Sequence, residues 1–150
     1  MDITQKEKFN LIIEVSMKFL NWDESFTTGI ESIDNEHNRA AEIINELYLL
    51  KDSNERSHIL ELLKEFYQLN VDHFANEENL MKQYKIFNYF SHKAQHDRLL
   101  RIIRELLVDF ESNKIGLSEQ MLNLFKDWMI NHFRFHDKKM GIELVKKGVK

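Results

Sequence analysis

The chain has 150 residues with no proline, no cysteine and only four glycines, and 43% of its residues are hydrophobic. Long helices tolerate so little proline and glycine, whereas a turn-rich β-fold does not. The absence of cysteine excludes disulfides and thiolate metal sites. A formal net charge of −4, with both signs spread along the chain, argues against nucleic acid as a partner.

The first 20 residues are predicted to form an N-terminal extension. Residues 3–20 have the pattern of an amphipathic helix whose apolar stripe is carried by Phe9, Ile12, Ile13, Ser16, Phe19 and Leu20. Charged residues flank the short apolar run, which excludes a signal peptide and a membrane span, so we expect a cytoplasmic protein. Because a short helix is stable mainly through its buried face, the stripe should pack on its own domain, on a second copy or on a protein partner.

Residues 21–29 lack a helical period and end at a glycine, so they are predicted to form an extended arm. Four amphipathic helices follow, at about 32–50, 54–83, 90–110 and 118–139. The short links between them force neighbouring helices to run antiparallel. The sequence therefore predicts an all-α protein. Residues 21–150 are expected to form an up-down-up-down four-helix bundle, to which residues 1–20 would add a helix.

The second and third predicted helices each carry a pair of potential metal ligands four residues apart. His73 and Glu77 lie near the end of the second helix, and His92 and His96 near the start of the third. Residues four apart lie on the same face of an α-helix, so both members of a pair can reach one point. Imidazole nitrogens and carboxylates are common ligands of first-row transition metals.

The first and fourth helices supply matching residues at the same height. His37 lies near the start of the first helix and His132 near the end of the fourth. The start of one antiparallel helix is level with the end of the next. The numbers of residues from the candidate ligands to the turn that joins their two helices differ only slightly, and at about 1.5 Å per residue these differences in height amount to a turn or less. The sequence therefore predicts a metal site inside the bundle. Asp137 follows His132 by five residues, about 140° around an α-helix, so spacing alone favours His136 as the second ligand on this helix.

His58 lies at the opposite end of the second helix and is predicted to be a surface residue. Together with Glu55 it forms an ExxH motif of the kind that ferritin-like di-iron sites use. Those sites need the motif on two helices, and no other histidine here has a glutamate three residues before it. A ferritin-like site is therefore excluded.

Residues 29–37 are GIESIDNEH, which resembles the opening GI-x-x-ID-x-x-H of the hemerythrins. The HFxxEE motif at His73, the HxxxH motif at His92 and the HxxxxD motif at His132 complete a resemblance to the bacterial members of that family over about residues 22–148. The family pattern assigns the ligand role on the fourth helix to Asp137, against simple helical spacing. Met140 stands where the family often has a tyrosine, which affects packing but no ligand.

The resemblance implies two non-heme iron ions joined by an oxo or hydroxo bridge. The implied ligands are three histidines on one iron, two on the other and two bridging carboxylates: His92, His96 and His132; His37 and His73; Glu77 and Asp137. With about six positions on each iron, one position stays open, on the iron with two histidines, and a small ligand such as O₂ fits there. The side chains expected to wall this O₂ pocket are Ile33, Phe74, Trp128 and Met129.

The expected function is reversible O₂ binding for carriage, storage or delivery, without enzymatic turnover. One alternative is an oxygen or redox sensor whose N-terminal helix passes a signal to a partner protein. Another is a di-iron oxidase or peroxidase, which ranks last because carboxylate-rich sites suit high-valent oxidation better than five imidazoles do. A reversible colour change under O₂ favours the binder, and turnover of an added reductant favours the enzyme.

Overall fold

A computed structural model of the chain describes residues 4–8 and 18–150. The elements in chain order are a 3₁₀-helix Glu24–Phe26, α1 Glu31–Leu50, α2 Arg56–Gln83, α3 Tyr89–Glu111, α4 Glu119–Asn131, a π-helix His132–Asp137 and α5 Lys138–Lys146. No strand occurs among the described residues. The predicted all-α four-helix bundle is confirmed. None of the helices in the described ranges is both long and apolar enough to cross a membrane.

The fourth helical segment of the bundle differs most from its predicted bounds. Helices α1 to α3 begin and end within about two residues of the predicted bounds. The fourth, in contrast, runs on without a loop from α4 through the π-helix into α5, and it ends at Lys146 instead of near residue 139. The π-helix lies where the sequence places the last of the candidate ligands.

The N-terminal extension is described at its two ends. Residues 5–8 are helical, whereas residues 18–20 are not, so the helix predicted for residues 3–20 does not reach Leu20; its middle, residues 9–17, lies outside the described residues. Leu20 is buried, and its backbone N–H donates to Oδ1 of Asn45 at 2.7 Å while the Asn45 amide donates back to its carbonyl oxygen at 2.9 Å. Phe19 stacks on Tyr48 with 4.2 Å between ring centroids. These contacts tie the end of the extension to the bundle.

Two apolar clusters fill the interior of the bundle. The larger one occupies most of its length, and the smaller one closes one end with six buried side chains: Ile30, Ile33, Met81, Ile86, Met140 and Leu144. Along α2, Phe74 belongs to the larger cluster and Met81 to the smaller one, and the buried Glu77 lies between them. A buried polar layer is therefore enclosed at both ends by apolar side chains, which exclude water from it.

The arm before α1 is fixed to the bundle by Asp34. The backbone N–H and the hydroxyl of Thr28 both donate to Oδ1 of Asp34 at 2.8 Å, and the Gly29 N–H donates to Oδ2 at 3.3 Å. Phe26 is buried and meets the ring of Phe133 edge-on, with 6.0 Å between centroids. The predicted arm is therefore packed against the π-helix, with one 3₁₀ turn in it.

The close approach of the arm to α5 gives a stability prediction. A Cβ added to Gly141 would overlap the carbonyl oxygen of Thr28 and stand 2.7 Å from the Thr28 Cβ. Overpacking of this kind costs about 1–3 kcal/mol, so we expect Gly141→Ala to lower the free energy of unfolding, measured by urea titration, by about that amount. Gly116→Ala is the matched control, because nothing lies within 4 Å of its added carbon. Equal losses in the two variants would contradict the close contact.

Candidate metal centre

The elements of the bundle bring five histidines and two carboxylates into one polar layer, which we define by these residues: His37 from α1, His73 and Glu77 from α2, His92 and His96 from α3, and His132 and Asp137 from the π-helix. Their donor atoms form two groups, and within each group the atoms lie within 4.8 Å of one another. The groups are unequal: Glu77, His92, His96, His132 and Asp137 form one, and His37, His73, Glu77 and Asp137 form the other. Both carboxylates are shared, so the layer offers two adjacent positions for a metal ion.

The π-helix explains why Asp137, and not His136, joins the layer. In a π-helix the hydrogen bonds run from residue i to i+5, so residues five apart come closer to the same face than they do in an α-helix. Asp137 is fully buried, and its Oδ1 lies 2.9 Å from Nε2 of His132. His136 is exposed instead and lies beside Gln95. His58, at the other end of α2, is exposed as expected.

Three of the histidines have their Nδ1 atom held by a neighbouring acceptor. The pairs are His73 with Glu36, His96 with Glu78 at 3.0 Å, and His132 with Gln95 Oε1 at 3.0 Å. In a neutral imidazole such an acceptor keeps the ring proton on Nδ1, so that the lone pair lies on Nε2 and is directed into the layer. The spacing of the candidate ligands in the sequence did not predict a role for Glu36, Glu78 or Gln95. The available signal was their position, since each one adjoins a predicted ligand in the sequence.

The polar atoms of the layer converge on shared points more than they pair with one another. Nε2 of His96 and Nε2 of His132 lie 3.0 Å apart, although both carry lone pairs when Nδ1 is protonated. Nε2 of His73 lies 2.8 Å from Oε1 of Glu77, yet neither atom has a hydrogen-bond partner, and neither carboxylate oxygen of Asp137 has one. Buried polar atoms without partners are costly. A cation between them would satisfy these atoms, so the residues present fit a bound metal pair.

His37 is oriented by stacking, because neither of its ring nitrogens has a hydrogen-bond partner. Its ring lies parallel to that of Phe133 with 3.8 Å between centroids, and Phe26 supports Phe133 from the arm. Ligand spacing did not predict a role for Phe133 either. The available signal was again its position, since Phe133 directly follows the predicted ligand His132 in the sequence. One of the two histidines in the smaller ligand group therefore depends on aromatic packing for its orientation.

The four side chains predicted to wall the O₂ pocket all lie in or against the enclosing clusters: Ile33 in the smaller one, Phe74 and Met129 in the larger one, and Trp128 half-buried against it. Phe74 stacks on His96 at 3.9 Å and Trp128 on His132 at 4.3 Å between centroids. Both aromatic rings therefore lie beside the group with three histidines. Contact with O₂ stays a prediction for all four side chains.

Opposite charges outweigh burial at most of the ionisable groups in the layer. Burial raises the pKa of Glu77, but the surrounding histidines, His73 first, hold that pKa well below its usual value. The pKa of Asp137 is likewise held well below its usual value, against burial and the nearby Glu77. Burial lowers the pKa of His73, but the neighbouring carboxylates raise it to about 10, and in the same way they raise the pKa of His92 to about 9. Without a metal, protons on these histidines balance the carboxylates.

The fold and the donor set define a helical-bundle protein with a buried cluster of histidines and carboxylates that could hold metal. The family model described as "Hemerythrin HHE cation binding domain" matches residues 28–141. The chain therefore belongs to the hemerythrin family, which confirms the resemblance predicted from the motifs. Hemerythrins bind O₂ at a non-heme iron centre.

Relatives and solved structures agree with this assignment. The bacteriohemerythrin of Pseudomonas aeruginosa (strain LESB58) is 32% identical over 121 residues, which is 81% of this chain and 78% of that protein. The myohemerythrin of Theromyzon tessulatum is 29% identical over 116 residues, 77% of this chain and 86% of that protein. A crystal structure of wild-type hemerythrin is similar with a TM-score of 0.80 at 26% identity, covering 84% of this chain and 98% of that one.

Two neighbouring residues of the π-helix give a test of the ligand set. We expect Asp137→Ala to hold fewer than two metal ions per chain, because it removes a carboxylate that both ligand groups share. His136→Ala should keep two, since His136 is exposed and belongs to neither group. Elemental analysis of the purified variants measures this, and His58→Ala serves as a remote control. Loss of metal from His136→Ala with full occupancy in Asp137→Ala would reverse the assignment.

The raised histidine pKa values predict that metal binding releases protons. Near neutral pH the metal-free protein holds protons on His73 and His92, whose pKa values are about 10 and about 9, and metal ligation needs both lone pairs. Binding should therefore release roughly two protons from these residues, and affinity should fall as the pH is lowered because protons compete with the metal. Calorimetric titrations with one divalent metal, in buffers of different ionisation enthalpy at one pH, measure the number. A binding enthalpy independent of the buffer would contradict the prediction.

Proposed function

We propose that the protein binds O₂ reversibly at two non-heme iron ions held by the polar layer, and that it acts as an oxygen carrier or store. The observation that carries the proposal is the inequality of the two ligand groups, which share Glu77 and Asp137 but have three histidines on one side and two on the other. A ligand set of this kind leaves one metal position less fully occupied by protein than the other.

A count of coordination positions shows where a small ligand could bind. Two six-coordinate ions offer about twelve positions. Five imidazoles, two bridging carboxylates and a bridging oxygen would occupy about eleven of them. The remaining position falls in the group of His37 and His73. One open position accepts a small end-on ligand but leaves no second place for an organic substrate, which supports a binder over an oxidase.

The residues around the layer would hold this arrangement in place and keep water out. Glu36 fixes the ring of His73 through Nδ1, and Phe133 fixes the ring of His37 by stacking. The apolar clusters above and below the layer limit the access of water. When bound, the iron pair supplies the electrons that hold O₂. The ligand residues keep their geometry because their rings are already oriented.

The described part of the N-terminal extension supports a self-contained binder more than a sensor. A sensor of the kind considered above would use its apolar stripe to contact a partner protein. The two stripe residues that the structure describes are used instead within the same bundle: Phe19 stacks on Tyr48, and Leu20 is buried in the larger apolar cluster. This part of the stripe is therefore already occupied within the chain.

The proposal predicts a reversible colour change. Protein loaded anaerobically with ferrous iron should hold two irons per chain, gain near-ultraviolet and visible absorption when O₂ is added, and lose it when O₂ is removed. The zinc-loaded protein, which has the same ligands but no accessible redox change, is the control and should stay colourless. One iron per chain, or absorption that never reverses from the first exposure onward, would contradict reversible binding. Sustained consumption of O₂ with an added reductant would favour the enzymatic alternative.

A further inference from the structure

A surface cleft of about 280 Å³ opens beside the polar layer. It lies between the link that follows α2, the start of α3, the π-helix and the first two turns of α5. Phe87 and Phe135 line it as exposed aromatic side chains, and His92, His136 and Glu143 line it as potential metal ligands. We call it the His92 cleft. The ligand chemistry proposed above does not use His136 or Glu143.

His92 connects this cleft to the buried layer. It is the member of the layer that lines the cleft, and at 5% it is the most exposed of the seven residues. Its Nε2 faces inward, 3.0 Å from Oδ1 of Asp137. No hydrogen bond holds its Nδ1 atom among the described residues, whereas the rings of His73, His96 and His132 are tethered. His92 is therefore the ligand with the most freedom to turn towards the surface.

His136 stands at the wall of the cleft, next to two members of the layer. Its ring centroid lies 5.4 Å from that of His132 and 6.3 Å from that of His92. The π-helix that turns Asp137 inward leaves His136 outward and exposed. An imidazole in this place can bind a cation from solvent and pass it to His92, whose ring centroid lies 6.3 Å away.

We propose that the His92 cleft is the route by which divalent first-row metal ions reach and leave the layer, and that His136 and Glu143 form a transient binding site for them on the way. The proposal rests on the metal binding proposed above. The cleft has room for the hydrated ion, since six waters at about 30 Å³ each fill about 180 Å³. Imidazole and carboxylate are suitable ligands for such an ion. Glu143 attracts the cation, and Lys139, which also lines the cleft, repels it.

The first test compares metal release and metal uptake. For release, a chromogenic chelator takes ferrous iron from the loaded protein under anaerobic conditions; for uptake, ferrous iron is added to the metal-free full chain. A residue on the route speeds both directions equally, so we expect His136→Ala to slow both by the same factor, about tenfold, which corresponds to about 1.4 kcal/mol of barrier. The metal content, affinity and absorption spectrum should not change. His58→Ala is the matched control, as an exposed histidine at the far end of α2.

Charge gives a second test in which the two variants have opposite effects. Glu143→Gln should slow release and uptake, and Lys139→Gln should speed both, most clearly at low ionic strength because salt screens exposed charges. Glu61→Gln, an exposed substitution on α2 away from the cleft, should change neither rate. If Glu61→Gln slowed metal release and uptake as much as Glu143→Gln does, the rates would depend only on the net charge of the protein, and the role of the cleft would be overturned.

A plug in the cleft gives a third test, because the chain has no cysteine of its own. Ser91 lines the cleft and is exposed, so Ser91→Cys can be labelled there with a bulky maleimide after metal loading. The label should slow release strongly, and the same label on Ser57→Cys at the far end of α2 should not. Unchanged rates in His136→Ala and in the labelled Ser91→Cys protein, with two irons still bound, would overturn the route alone. A wild-type chain that binds no metal pair would instead overturn the proposed function.

Discussion

The structure depends on the burial of two carboxylates, Glu77 and Asp137, in the middle of an apolar bundle. A charged group in such a place is tolerated only when opposite charge and hydrogen-bond donors surround it. Here five imidazoles from the surrounding elements each place Nε2 within 3.2 Å of one of the carboxylates. Against the effect of burial, the carboxylates raise the pKa values of three of these imidazoles, His37, His73 and His92. Each helix is therefore held in rotation and height by the need to direct its histidine at the same two carboxylates. A metal pair would satisfy the same atoms with fixed positive charge in place of protons.

The π-helix is the local irregularity that this arrangement needs. A regular α-helix through His132 would direct residue 136 inward and leave Asp137 about 140° away from His132. The wider turn gives up regular α-helical hydrogen bonding over residues 132–137 and brings the carboxylate inward. The same turn leaves His136 at the surface of the His92 cleft. One distortion of the backbone thus decides both which residue is shared by the two ligand groups and which remains available to solvent.

The orientation of the histidine rings in the layer depends on neighbouring residues that do not themselves belong to the layer. Acceptors on adjacent helices fix the Nδ1 atoms of His73, His96 and His132, and the ring of Phe133 fixes His37. His92 lacks such a tether among the described residues and has the greatest exposure of the seven. Rigidity is therefore uneven across the site. The tethered side suits constant ligand geometry, and the His92 side suits exchange with solvent.

The sequence by itself determined the all-α class, the bounds of α1 to α3 and the placement of five histidines and Glu77 at one height, because the period of an α-helix and its rise per residue are fixed by local backbone geometry. Helical spacing favoured His136 over Asp137, since it assumes a regular α-helix, and the motif resemblance supplied the choice of Asp137. The tertiary structure gave its physical reason, the π-helix. It alone also identified Glu36, Glu78, Gln95 and Phe133, whose roles depend on contacts between different helices. Such contacts are decided by how helices rotate against one another when their buried faces pack, and no single helix encodes that rotation in its own period.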